Sequence, residues 1–406
     1  MRLKSLVGVL AITGLIVAGC GGGDDSGSGS GDSGGGGEAA APAGLKAGDT
    51  IKVGYAASKT GLLSSVEQDL GKFIDAYVED INAKGGIDGK VKIELETIDC
   101  GSDPAKCSNV TQQLLDNGAK FIIGPCDVDV ALPAALLTTK AETAMLTTCA
   151  GGASFREQAG KSAFLNTHSA PVLGHAQGEF AAKEGHKTAA IMTSADLQYT
   201  DAVGKGAQER FEAKGGKVLK VETAKLGQPQ YTSQANAIAN ANPDVVMASL
   251  FLPSSNTFIQ NLRSAGYKGP VYGVDGTADA ATLAIGSAAE NVYPFGYAHL
   301  GDDTLPSVKS AIDIYTKKYG KPPTGGLGVL GADIVLLLEA AVKKAGTVDD
   351  SAAILDALEN LENVEAASGP ITYKGRNGIP KKDVVVLKTD VPNKGFEQVE
   401  RFYPEP

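Results

Sequence analysis

Apolar residues recur along the chain in two alternating rhythms. Ile51, Val53 and Tyr55 fall on every second position, the period of a strand. Leu70, Phe73, Ile74, Tyr77, Val78 and Ile81 then return at three- and four-residue spacings, which predicts a helix with one buried face, stopped by Gly85 and Gly86. Val91, Ile93, Leu95 and Thr97 alternate with Lys92, Glu94 and Glu96 in the manner of an edge strand. Asp103 and Pro104 supply the cap and first position of a second helix. Short apolar runs at 121–123 and 144–146 read as buried strands. Strand and helix in alternation imply a parallel sheet with right-handed crossovers. The rhythm restarts near Phe164, with strand-like runs at 188–192, 217–222, 245–250 and 271–273 separated by helical segments. That predicts a second unit of the same α/β class. Near 293–297 the chain leaves this pattern. Helices are expected at 305–319, 331–345 and 351–361, and the tail from 369 to 402 reads as strands.

The first residues follow a different logic. Arg2 and Lys4 precede a nearly uninterrupted apolar stretch from 6 to 17, and Val17-Ala18-Gly19 places small residues before Cys20. The stretch is too short for a permanent span and reads as a signal peptide over residues 1–19. A cysteine directly after the small residues resembles the lipobox of bacterial lipoproteins, so Cys20 is expected to carry acyl chains and hold the protein at the membrane surface. Residues 21–44 consist almost wholly of Gly, Ser, Asp and Ala. With no apolar surface to offset ordering entropy, the segment 20–47 is expected to be the lipidated cysteine and a disordered tether. No later segment is long and apolar enough to cross a bilayer.

The body that follows is too long for one simple core and fits two lobes. A formal net charge of −10 without any Lys/Arg cluster argues against nucleic acid as a partner. The chain has no Trp, so an aromatic wall for a ligand must come from Tyr or Phe. Beyond Cys20, Cys100, Cys107, Cys126 and Cys149 make an even set in an exported chain, and two disulfides with three possible connectivities follow. No Cys-x-x-Cys, nucleophile elbow or His-Glu-x-x-His occurs, and the four histidines are scattered, so neither a catalytic set nor a metal or cofactor site is expected. His175 and His186 read as surface residues, while His168 is the histidine expected near a cleft. Gly160-Lys161-Ser162 lacks the leading glycine of a P-loop, Phe155 standing in its place. Gly326-Leu327-Gly328-Val329-Leu330-Gly331 matches G-x-G-x-x-G, yet Pro322-Pro323 stands where a strand should feed the loop, so a glycine-rich helix start is the better account.

Several runs carry a family resemblance: residues 81–90 (Ile-Asn-Ala-Lys-Gly-Gly-Ile-Asp-Gly-Lys), Ser102-Asp103-Pro104, Ile123-Gly124-Pro125, Asn242-Pro243-Asp244-Val245-Val246, Tyr319-Gly320-Lys321-Pro322-Pro323 and Gly369-Pro370-Ile371-Thr372-Tyr373. Each is weak alone, but the ordered set resembles the periplasmic leucine/isoleucine/valine-binding proteins from about Ile51 to Phe402. The resemblance implies an α/β fold of two doubly wound parallel-sheet lobes joined by three crossovers, the type I periplasmic binding protein. One lobe would take residues 48–168 and 298–366, the other 169–297 and 367–406. It implies a monomeric, non-enzymatic receptor of an ABC importer, with a small-molecule solute and the permease and ATPase subunits as partners. A surface sensor of the same fold coupled to a signalling partner is the alternative.

Open parallel sheets place ligands beyond the carboxyl ends of their strands, which selects the loops 62–65, 126–129, 147–151, 194–199, 251–253 and 275–277. Ser64, Cys126, Asp127, Val128, Thr148, Cys149, Ala150, Tyr199, Phe251 and Asp275 are the expected ligand-binding residues. In the relatives, hydroxyl side chains and backbone N–H groups after the third and fourth strands hold a ligand carboxylate. An acidic residue of the second lobe, matched here by Asp275, takes the ammonium. Tyr199 and Phe251 match aromatic positions of the cleft. The departures are Cys126-Asp127-Val128-Asp129 and Thr148-Cys149-Ala150-Gly151, where the amino-acid binders carry small hydroxyl residues and a Pro-x-x-Thr-like turn. Asp127 or Asp129 aimed into the site would repel a ligand carboxylate, whereas either could instead face solvent or cap the following helix. Of the three cysteine connectivities, Cys100–Cys107 and Cys126–Cys149 are favoured: the first joins a loop to its own helix, the second the ends of neighbouring strands. Relatives also bridge similar loops, which keeps Cys100–Cys126 open.

Overall fold

The computed structural model describes residues 44–302 and 304–404. The leader, Cys20 and the tether as far as residue 43 lie outside the described residues. The first half runs β1 (Thr50–Ala57), α1 (Ser64–Ala83), β2 (Lys92–Asp99), α2 (Pro104–Asp116), β3 (Phe121–Gly124), α3 (Val128–Lys140), β4 (Met145–Thr147), α4 (Phe155–Ala159) and β5 (Ala163–Phe164). These strands form a parallel sheet in the order β2-β1-β3-β4-β5. The short strands are apolar throughout because both faces are covered. Phe121, Ile123 and Leu146 join one core with α1, whereas Ile122 and Met145 join another on the opposite face. Asp103 caps α2 through a bond from the Lys106 N–H at 2.8 Å, with Pro104 in the first turn.

After residue 164 the chain crosses to the second lobe. There it forms α5 (Ala170–Lys183), β6 (Thr188–Ser194), α6 (Gln198–Ala213), β7 (Lys217–Ala224), α7 (Thr232–Ala241), β8 (Val245–Ala248), α8 (Ser254–Ser264), β9 (Val271–Gly273), α9 (Ala280–Leu283) and β10 (Val292–Gly296). The chain then returns to the first lobe as α10 (Pro306–Tyr319), α11 (Leu330–Ala345), α12 (Ser351–Glu359), β11 (Val364–Ala366) and β12 (Gly369–Ile371). It ends in the second as β13 (Val384–Asp390) and β14 (Gly395–Phe402). The second sheet has the order β14-β13-β10-β9-β8-β6-β7, with β13 and β14 antiparallel at one side of an otherwise parallel set. The fold is two α/β lobes joined by three crossovers.

Two sequence expectations change. Residues 293–297, expected to leave the pattern, lie largely within β10, a parallel neighbour of β9; Pro294 inside Val-Tyr-Pro-Phe-Gly masks the strand signal. The assignment of 367–406 to the second lobe begins too early. Ala367, Ile371 and Tyr373 are buried in the core of the first lobe, Tyr373 edge-on to Phe164, and β12 pairs with β11. The third crossover therefore falls at 381–383, just before β13.

The glycine-rich stretch 326–331 is a close-packing device. A Cβ at Gly326 would lie 2.2 Å from the Ala298 carbonyl oxygen, and one at Gly331 2.2 Å from that of Leu70. The glycines let the start of α11 press against α1 and the second crossover. Among the described residues no helix is long and apolar enough to cross a membrane.

Candidate functional site

The carboxyl ends of both sheets face one another across the crossovers, and the chemistry gathers there. On the first lobe the four cysteines pair as Cys100–Cys107 and Cys126–Cys149. The second pair ties the end of β3 to the end of β4. Both of its cysteines pack with Leu70, Leu330 and Tyr297 in a small buried cluster, so the disulfide forms part of the first lobe's wall toward the crossovers.

Behind it lies Glu67, almost fully buried in the first turn of α1. Its Oε1 accepts from the Cys126 N–H and from Thr148 Oγ1 at 3.1 Å, and its Oε2 from the Ser58 N–H at 2.8 Å and the Tyr55 hydroxyl at 3.2 Å. Two bonds on each oxygen fill the acceptor capacity of a carboxylate. Burial pushes the Glu67 carboxyl above its ordinary range, and the four donors pull it back down. Glu67 was not singled out from the sequence. The available signal was its place three residues before Leu70, on the apolar stripe of the same helix.

The remaining first-lobe candidates divide. Thr148 reaches Glu67, and Ala150 is buried, its carbonyl accepting from the Thr167 hydroxyl. Val128 packs on the backbone of Gly152, where a Cβ would come within 2.5 Å of its Cγ2. Ser64 and Asp127 have other tasks than the one expected. The Ser64 hydroxyl donates to the Gly61 carbonyl at 2.8 Å within the turn that starts α1. Asp127 caps α3: its Oδ1 accepts from the Asp129 N–H at 2.9 Å and the Val130 N–H at 3.4 Å, and it holds this pose at φ 115°, a region that strains any residue with a Cβ. Asp129 is exposed.

On the second lobe, Asp275 opens the turn after β9 and is buried. The Tyr199 hydroxyl donates to its Oδ1 at 3.2 Å, and the Tyr297 hydroxyl and Gly276 N–H also bond to it. Burial outweighs these bonds and pushes the Asp275 carboxyl up to about 6. Tyr199 stacks on Phe251 with ring centroids 5.5 Å apart. The same tyrosine reaches the first lobe, for a Cβ at Gly151 would lie 2.5 Å from its Cε2, and the Ala170 N–H donates to the Gly151 carbonyl at 2.6 Å. Thus Cys126, Thr148, Cys149, Ala150, Tyr199, Phe251 and Asp275 converge, joined by Glu67 and Tyr297, which the sequence reading lacked.

His168 lies in the first crossover, fully buried and stacked on Tyr297 at 4.6 Å. Its Nε2 faces the Asp383 carbonyl at 3.1 Å, which requires an N–H at that nitrogen. Burial, with Lys382 nearby, pushes His168 down to about 3, so it is neutral. Among the described residues no group of three or more His, Cys, Asp and Glu is arranged to hold a metal.

Such an arrangement defines a two-lobed α/β protein whose strand-end loops meet between the lobes. Residues 50–395 match the model of the periplasmic binding protein family. The chain belongs to that family and has its type I fold; members of the family are solute-binding proteins of transporters and not enzymes. It is 24% identical over 347 residues to the Leu/Ile/Val-binding protein homolog 3 of Brucella melitensis, covering 84% of this chain and 91% of the relative. A leucine-binding protein from Thermotoga maritima superposes with a TM-score of 0.76 at 24% identity, over 87% of this chain and 99% of that one. A solute-binding protein of an ABC transporter from Rhodopseudomonas palustris, in complex with 3,4-dihydroxybenzoic acid, gives 0.77 at 23%, over 88% and 98%.

Proposed function

We propose that this chain is the extracytoplasmic receptor of an ATP-driven importer, held to the membrane by lipid on Cys20, that captures a small solute between its lobes and presents it to permease and ATPase subunits. The observation that carries this reading is the convergence of Asp275, Tyr199 and Phe251 from one lobe on Gly151 and the Cys126–Cys149 wall of the other. Binding at the strand ends of both lobes favours the state in which they meet. The solute class comprises branched-chain amino acids, amides and related small molecules, and the protein acts as a monomer. A solute that binds only the folded protein stabilises it by RT ln(1 + [L]/Kd), about 2.7 kcal/mol at a hundredfold excess over Kd. A thermal-shift screen of amino acids, amides, amines and aromatic acids is expected to find such a ligand, with Asp275→Ala removing the shift for an amine-bearing one. An unchanged shift in Asp275→Ala takes Asp275 out of the site. For the anchor, Cys20→Ser is expected to release the protein from membranes with its fold intact; retention after a salt wash refutes lipidation at that residue.

A further inference from the structure

Glu67 and Asp127 are acidic residues placed where a solute carboxylate would otherwise find donors. A carboxylate docking on the first lobe needs N–H and O–H groups at the strand ends or at the start of α3. At the strand ends, the Ser58 and Cys126 N–H groups and the Thr148 and Tyr55 hydroxyls all point at Glu67. At the start of α3, the Asp129 and Val130 N–H groups point at Asp127. Both sets of donors are already taken by carboxyl groups of the chain itself. Across the cleft stands a third acidic group, Asp275, with the half-buried Tyr199–Phe251 stack and Tyr297 beside it. With the first-lobe donors taken up, what remains for a solute is the acidic Asp275 and the aromatic faces, which complement a cation or a hydrogen-bond donor.

We propose that Glu67 is the specificity-determining residue of this receptor, an internal carboxylate that fills the anion cradle at the ends of β1, β3 and β4 and so selects solutes bearing an amine or amide and no free carboxylate. This rests on the reading of the chain as a solute receptor and narrows it: the branched-chain amino acids themselves are excluded.

The test pairs ligands that differ only at the carboxyl group, leucine with leucinamide and benzoate with benzamide, together with isobutylamine, by calorimetry on the full-length protein. At least one amide or amine is expected to bind at least a hundredfold more tightly than its carboxylate counterpart. In Glu67→Ala the vacated donors are expected to accept acetate, which raises the melting temperature of the variant and leaves the wild type unmoved. Equal or tighter binding of leucine or benzoate by the wild type overturns the proposal while leaving the receptor reading in place. Should Glu67→Ala not fold, the wild-type pairs decide alone. If the wild type takes up neither class, the proposal falls. Native mass spectrometry of the purified protein then judges the receptor reading separately, by whether a solute of another class co-purifies.

Discussion

Asp275 and His168 show how burial sets the protonation of single residues, and they pull in opposite directions. Asp275 titrates near 6 when folded, above its ordinary 3.8. The folded state therefore holds more protons than the unfolded one between these values, and stability from this residue is present below pH 4 and lost as pH rises through 6. His168, pushed down to about 3 from 6.5, contributes stability present above pH 6.5 and lost as pH falls toward 3. The two slopes oppose each other in one window, so a single profile does not separate them. The difference between wild type and Asp275→Asn does. Asn keeps an acceptor for Tyr199 and Tyr297 without the charge, and the variant's melting temperature, relative to wild type, is expected to rise between pH 4 and 6. For an amine ligand, wild-type affinity is expected to strengthen across the same interval and that of Asp275→Asn to stay flat. A flat difference in melting temperature removes Asp275 as a titrating group.

At the scale of elements, contact between α1 and α11 depends on side chains that are missing. Gly331 lets the α11 backbone meet the Leu70 carbonyl, and an added methyl would lie 2.2 Å from that oxygen and 2.9 Å from Phe73 Cβ, neither of them the end of a flexible side chain. Gly331→Ala is expected to cost roughly 1–3 kcal/mol in urea unfolding. A nucleotide is expected to produce no stabilisation of the wild type, and either a neutral Gly331→Ala or a nucleotide-induced shift rejects the packing account. The α3 start teaches a related lesson. Asp127-Val128-Asp129 leaves open in sequence whether its carboxylates enter the site, face solvent or cap the following helix, and the free N–H groups of a helix start draw a nearby carboxylate onto themselves. Asp127 folds back as the cap and Asp129 turns outward.

At the scale of the whole molecule, the three crossovers are clasped together by buried polar groups. Lys382 of the third donates to the Asn166 carbonyl of the first at 3.2 Å and to Asp333 of α11 at 2.9 Å, and its Nζ lies 5.2 Å from the Tyr297 ring of the second. Asp333 also accepts from the N–H and hydroxyl of Ser368. Both partners of the ion pair are shielded from solvent, so removing one leaves an uncompensated charge, at a cost of about 3–5 kcal/mol. Asp333→Asn is expected to show a loss of this order in chemical denaturation. Adding Lys382→Met should recover much of it, since Asn still serves Ser368 and no charge is left stranded. Equal losses in the single and double variants would show that a stranded Lys382 charge does not set the cost.

The sequence by itself determined the α/β class, the second repeat of the rhythm, the cap at Asp103 and most of the loops that meet at the cleft. All of these rest on local periodicity, on turn chemistry, or on the rule that ligands sit beyond strand ends. Runs such as Phe121-Ile122-Ile123 are legible because a strand covered on both faces is apolar at every position. Tertiary structure alone decided the rest. That Glu67, an acidic residue in a polar helix start, turns inward depends on donors from Ser58, Cys126 and Thr148, up to 81 positions away. The strand at Val292–Gly296 exists because β9 pairs with it in spite of its proline. The third crossover falls where it does because Tyr373 has a place beside Phe164. Local propensity cannot register partners so distant in the chain, and a buried charge is stable only where the fold brings its partners to it.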